Sequence, residues 1–182
     1  VSSVEEMEEA RAAVTECQDA LKLDGIPYAH EPAIGAMIEL PSAVEALDEL
    51  ADHCDFFSIG TNDLVMYLLG VDRTNDRLSE LYRSYHPAVL RVIRRIVTVA
   101  RNRGVDLSIC GDSAADPSML PFYIGVGIRN FSVSPQSLPS LHRAAASLTL
   151  ADAEARSEAM LATRTAREMQ QMIRSYPASM VH

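Results

Sequence analysis

Apolar positions along this chain change their period several times, and each change marks an element. Val4, Met7, Ala10 and Val14 recur at helical spacing. They predict a helix from about residue 3 to 24, opened by a Ser3-Val4-Glu5-Glu6 capping box and stopped near Gly25. A loop with two prolines covers 26–32. Ile34 to Leu40 is almost continuously apolar, the pattern of a strand covered on both faces of a parallel sheet. Pro41 then suits a first helical turn, with Val44, Leu47, Leu50 and Ala51 down one side.

The alternation repeats. Asp55 to Gly60 reads as a second strand, and Thr61-Asn62-Asp63 as a polar turn into the apolar run 64–69. A long charged connection over 71–85 leads to His86-Pro87, where His86 is expected to cap a helix. Val89, Ile93, Ile96, Val97 and Ala100 mark its apolar side, and Arg91, Arg94, Arg95 and Arg101 its other side, expected to be solvated. Asp106 to Cys110 is a third strand, a helix is expected from near Pro117, and Phe131 to Ser134 is a fourth strand. Helices over 139–148 and 152–174 follow. Four strands alternating with helices predict an α/β fold with a parallel sheet. A (β/α)8 TIM-type barrel has eight such units, so this chain suits its C-terminal half, about four strand-helix units. Residues 1–182 read as a single domain with a C-terminal helical tail over 151–182. A half-barrel leaves two sheet edges that must be covered.

Composition narrows the function classes. Among 182 residues, 16 Lys and Arg stand against 25 Asp and Glu, a formal charge of −9 that argues against a general nucleic-acid binder or a polybasic membrane binder. With 48% hydrophobic residues the chain can build a core, yet no apolar run has the length of a membrane span. Cys17, Cys54 and Cys110 are far apart and form no Cys-x-x-Cys, which suggests reduced thiols and a cytoplasmic protein. The chain opens on Val1 rather than Met, which leads us to expect a preceding segment.

In parallel α/β folds the working face is the carboxyl edge of the sheet. Here that edge would carry Glu39, then Thr61-Asn62-Asp63, then Cys110-Gly111-Asp112, then Ser134. A carboxylate at the end of an apolar strand needs a partner or a cation. Glu39 could make a salt bridge or cap the next helix. Alternatively Glu39 and Asp63, from adjacent strand ends, could share a hard cation such as Mg2+. Cys110 could be a small buried hydrophobe or a working thiol next to a flexible glycine. The five histidines show no metal-ligand spacing.

Three motifs on three strand-end turns are more specific. Gly35-Ala36-Met37-Ile38-Glu39-Leu40-Pro41-Ser42-Ala43, Asp55-Phe56-Phe57-Ser58-Ile59-Gly60-Thr61-Asn62-Asp63-Leu64 with Asp72-Arg73, and Cys110-Gly111-Asp112 resemble the phosphoenolpyruvate-utilising enzymes. The enzyme I (phosphoenolpyruvate-protein phosphotransferase) branch of the phosphotransferase system is the nearest, and the likeness runs from residue 1 to about 148. It implies Mg2+-dependent transfer of a phosphoryl group from phosphoenolpyruvate to a protein histidine, leaving pyruvate. It also implies that Glu39 and Asp63 hold the metal, that Asn62 and Arg73 contact the substrate phosphate, and that Cys110 delivers a proton to the enolate of pyruvate. Phosphoryl transfer depends mostly on positioning and charge neutralisation, which suits this kit. A thiol is ordinarily protonated at neutral pH and can serve as an acid.

The chain departs from the family pattern at Asp112, where the family usually has glutamate. The resemblance further implies that the early barrel strands, with two more phosphate-binding arginines, lie outside this sequence, as does the histidine-bearing domain that meets the phosphocarrier protein. The isolated chain is then expected to be inactive, and a homodimer is implied. Pyruvate phosphate dikinase or phosphoenolpyruvate synthase share the same motifs, and a non-catalytic dimerisation or regulatory module is a third reading. An aldolase-type Mg2+ lyase would account for Glu39 and Asp63 but not for Cys110-Gly111.

Overall fold

A computed structural model describes residues 1–72 and 81–175. Helix α1 (Val4–Leu23) leads into β1 (Gly35–Ile38), followed by α2 (Pro41–Glu45) and α3 (Leu47–Ala51). Then come β2 (Phe56–Gly60), α4 (Thr61–Leu69), α5 (Pro87–Arg103) and β3 (Asp106–Cys110). A 3₁₀ turn at Asp112–Ala115 precedes α6 (Leu120–Val126) and β4 (Asn130–Ser132). Helices α7 (Leu138–Ala146), α8 (Leu150–Ala162) and α9 (Ala166–Arg174) complete the described chain.

The strands form one sheet in the order β1-β2-β3-β4, every neighbouring pair parallel. Each strand therefore returns through helical connections, and all four carboxyl ends lie along one edge. Period-two alternation separates the faces. Ala36, Ile38, Phe57, Ile59 and Ile109 are buried in one cluster with Val44, Leu47, Leu50, Leu90, Ile93, Ile96 and Phe122 of the helices. The alternate positions are different: Met37 and Phe56 remain 42% and 37% exposed. The strand over 34–40 was expected to be covered on both faces, and the structure corrects this. Among the described residues helices cover one face, and the other is open.

Local differences from the sequence reading have identifiable causes. The helix expected after Pro41 is two short helices that meet at the non-helical Ala46. The single helix expected over 152–174 is broken between α8 and α9. There Thr165 and Glu168 form a complete capping box that starts a new helix. At the first helix the box is half formed. Ser3 Oγ accepts from the Glu6 amide, but the Glu6 carboxylate accepts from Ser2 instead. The helix expected from Pro117 begins at Leu120, after Asp116 Oδ1 accepts from the Ser118 amide in a turn.

The arginine side of α5 is not simply solvated, which overturns that expectation. Arg95 makes a bidentate pair with Glu45 at 2.8 and 3.2 Å, Arg94 meets Glu158 at 2.7 Å, and Arg103 pairs with Asp52. Arg91 donates to the Thr163 carbonyl and Arg101 to the Val126 carbonyl. One helix thus ties the β1–β2 connection to α6 and α8. Surface pairs of this kind contribute little each, so their role is mainly to set orientation.

Helix α6 packs directly on α8 at Gly125, where an added Cβ would run into the Ala153 carbonyl and lie 2.7 Å from Ser157 Cβ. Gly125→Ala is expected to separate the two helices and lower the unfolding free energy by about 1–3 kcal/mol. Urea denaturation at equilibrium measures this, and an unchanged midpoint would contradict the close packing.

Candidate active site

The sheet register assembles the site. Gly60 pairs with Cys110 and Cys110 with Ser132, while Ile38 pairs with Ile59. One step further along β1 brings Glu39 beside Gly60. A Cβ at Gly60 would lie 2.7 Å from Glu39 Oε2. Glycine there leaves room for the carboxylate to lie across the end of β2. Helix α4 starts at once, so Thr61, Asn62 and Asp63 form its first turn rather than a separate loop, with Asp63 suitably placed at the positive end of the helix.

Two hydrogen bonds latch this turn to the next one. Thr61, itself buried, donates its hydroxyl to the Cys110 carbonyl at 2.7 Å, and the Asp112 amide donates to Asn62 Oδ1 at 2.9 Å. Gly111 makes the latch possible. Its φ is +95°, and a Cβ there would collide with Thr61 Oγ1 and sit 2.9 Å from Asn62 Oδ1. With Oδ1 engaged, Asn62 keeps its Nδ2 as the donating end. Tyr82 donates its hydroxyl to the Asn62 carbonyl at 3.3 Å. Beneath the 3₁₀ turn, Ser113 and the fully buried Tyr123 share a hydrogen bond, and burial pushes the Tyr123 hydroxyl far above its usual range.

Electrostatics single out Glu39. Its pKa is raised, first by partial burial and then by the negative charge and contact of Asp63. Two carboxylates held against each other form an all-oxygen, doubly negative donor set, which suits a hard divalent cation that also takes substrate and water oxygens. Among the described residues no third His, Cys, Asp or Glu joins them in a metal-binding cluster. Cys110 is half-buried, with Sγ 3.5 Å from the Ile59 carbonyl and 3.9 Å from Ser58 Oγ. The structure therefore gathers Glu39, Asn62, Asp63 and Cys110 on one rim. Arg73 lies outside the described residues. A cleft of about 730 Å3 lined by Arg94, Arg101, Glu154 and Glu158 lies away from this rim, between α5 and α8.

Residues 1–150 match the family described as PEP-utilising enzyme, PEP-binding domain. The chain belongs to the PEP-utilising enzymes. It is 33% identical over 175 residues to a phosphoenolpyruvate-protein phosphotransferase of Priestia megaterium, covering 96% of this chain and 30% of that protein. Identity is 35% over 169 residues to the Bacillus subtilis phosphoenolpyruvate-protein phosphotransferase, covering 93% and 30%. A Salmonella typhimurium protein named for the phosphoenolpyruvate-dependent phosphotransferase system is 36% identical over 177 residues, covering 97% and 24%. The chain thus spans about 30% of the length of the first two relatives. Among the described residues no helix of this PEP-utilising chain is long and apolar enough to cross a membrane.

Sequence reasoning missed Ser58, the latching role of Thr61, and the Ser113–Tyr123 bond. Strand alternation carried a signal for Ser58, since it places that residue on the face of Gly60 and Cys110. Nothing local pointed to Tyr123, because its bond spans a 3₁₀ turn and a helix start.

The raised pKa of Glu39 gives a signed prediction. Below the ordinary carboxylate range Glu39 is protonated in both the folded and unfolded states and costs nothing. As pH rises through its raised folded value it ionises against Asp63, and stability is lost. Glu39→Gln is expected to raise the melting temperature by about 1–3 °C at pH 7 in chelator. The gain should vanish near pH 3.5, and a lower melting temperature at pH 7 would contradict the repulsion.

Proposed function

We propose that this chain carries the Mg2+-dependent half-site of a phosphoenolpyruvate-protein phosphotransferase. There phosphoenolpyruvate binds before its phosphoryl group passes to a histidine on another domain, leaving pyruvate. The observation that carries this reading is the Glu39–Asp63 carboxylate pair on the same rim as Asn62 and Cys110. Glu39 and Asp63 would hold the metal. When bound, Mg2+ neutralises negative charge on the phosphate and the enolate oxygen. Asn62, its Oδ1 already held by the Asp112 amide, offers Nδ2 to a phosphate oxygen, and Arg73 adds a positive charge. After the phosphoryl group leaves, the Cys110 S–H bond breaks with its electron pair staying on sulfur. A C–H bond then forms at the methylene carbon of the enolate, giving pyruvate.

The open sheet face and the two sheet edges support a TIM-type barrel completed by strands outside this sequence. The further phosphate-binding arginines and the phosphorylated histidine would lie in those other parts, so the chain alone does not turn over. The Priestia megaterium and Bacillus subtilis relatives are protein phosphotransferases, which favours that reaction over the dikinase and synthase reactions. The same reading brings a phosphocarrier partner, a homodimer, a cytoplasmic setting and a role in sugar transport.

Two measurements test it. Calorimetry with phosphoenolpyruvate should show binding that requires Mg2+, is weakened roughly 10-fold or more by Asp63→Asn, and stays within about twofold in Cys110→Ser. Incubation with labelled phosphoenolpyruvate, Mg2+ and a phosphocarrier should leave the carrier unlabelled. Binding indifferent to Mg2+ would overturn the half-site, and a labelled carrier would overturn the claim that the chain alone is inactive.

A further inference from the structure

We infer that Ser58 is a positioning residue for the Cys110 thiol, donating its hydroxyl to Sγ and so favouring the sulfur that has given up its proton. The inference deepens the function proposed above and rests on its use of Cys110 as the proton donor.

Strand alternation turns Ser58 away from the core residues Phe57 and Ile59 and onto the open face that Cys110 shares. Because Gly60 pairs with Cys110, Ser58 stands one step back on the neighbouring strand, and its Oγ lies 3.9 Å from Sγ. The Ile59 carbonyl, 3.5 Å from Sγ, can only accept, so the thiol proton is directed there and the sulfur lone pairs are left for a donor. Other hydroxyls nearby are committed elsewhere. Thr61 donates to the Cys110 carbonyl, Ser108 to the Phe57 carbonyl, and Ser113 is bonded to Tyr123.

The chemistry follows from charge. When the S–H bond breaks, the pair stays on sulfur, and a weak hydrogen bond to a thiol becomes a stronger one to a thiolate. Glu39 and Asp63, on the same rim, are both carboxyl groups. Ser58 supplies a neutral donor against them. Gly60, between Ser58 and the rim, carries no side chain of its own, and Glu39 and Met37 of the neighbouring strand lie over it.

The test is alkylation of the full chain by iodoacetamide near neutral pH without substrate, resolved by peptide mass spectrometry at Cys17, Cys54 and Cys110. The exposed Cys17 is the internal reference, and the buried Cys54 reports opening of the fold. Ser58→Ala should slow Cys110 roughly 3- to 10-fold relative to Cys17, since loss of thiolate is only partly offset by higher intrinsic nucleophilicity. Ser58→Thr should restore the rate to within about twofold.

An unchanged Cys110 rate in Ser58→Ala, or a slow rate that threonine does not restore, would overturn the inference. Should Ser58→Ala unmask Cys54, a crystal structure of the unsubstituted chain decides instead. Ser58 Oγ within hydrogen-bonding reach of Sγ supports the contact, and a hydroxyl turned away overturns it. No substrate is present, so these outcomes are separate from success or failure of phosphoenolpyruvate binding.

Discussion

The parallel register between the second and third strands is the constraint on which the rest of the structure depends. Gly60 opposite Cys110 puts two strand ends level, and the turns that follow them meet through the Thr61 and Asp112 hydrogen bonds. A slip of the second strand by one residue would turn Ser58 into the helix-covered core and bring Phe57 and Ile59 to the open face. The buried cluster around Phe57, Ile59 and Ile109 resists that slip. Hydrophobic burial on one side of the sheet therefore fixes polar geometry on the other.

The rim accepts unfavourable contacts that the core has no need of. Two carboxylates face each other, a glycine adopts a left-handed conformation, and another glycine gives up its side-chain space to Glu39. Each costs stability in the chain by itself and makes sense when a cation and an anionic substrate complete the arrangement. The Ser113–Tyr123 bond and the edge-to-face packing of Tyr123 with Phe122 and Phe131 brace the third turn from below. The rim is thus supported by aromatic packing on the helix-covered side of the sheet.

Much of this was readable before any coordinates. Short apolar runs ending in Glu39, Gly60 and Cys110 located three strands, and the motifs at their ends indicated the family. Boundaries were less readable, because Thr165 and Glu168 start a helix inside a run whose apolar spacing looks continuous. The arginines of α5 looked like a solvated face because their partners Glu45, Asp52 and Glu158 are distant in sequence. Glu39 and Asp63 are expected from the sequence at adjacent strand ends, but the touching of their side chains depends on register, which local pattern does not encode. Ser58 lies within the second family motif, yet its meeting with Cys110 requires two strands to be in place.

The central claim is that consecutive strand ends aim Glu39, Asn62, Asp63 and Cys110 at one common metal and substrate pocket. Paramagnetic relaxation with Mn2+ in place of Mg2+ tests this most directly, read from amide resonances of the isotopically labelled chain. At substoichiometric Mn2+ the account predicts selective broadening of residues 39, 60–63 and 110–112, reversed by excess Mg2+. Broadening centred on the acidic first turn of α1, or spread evenly over the acidic surface, would contradict it.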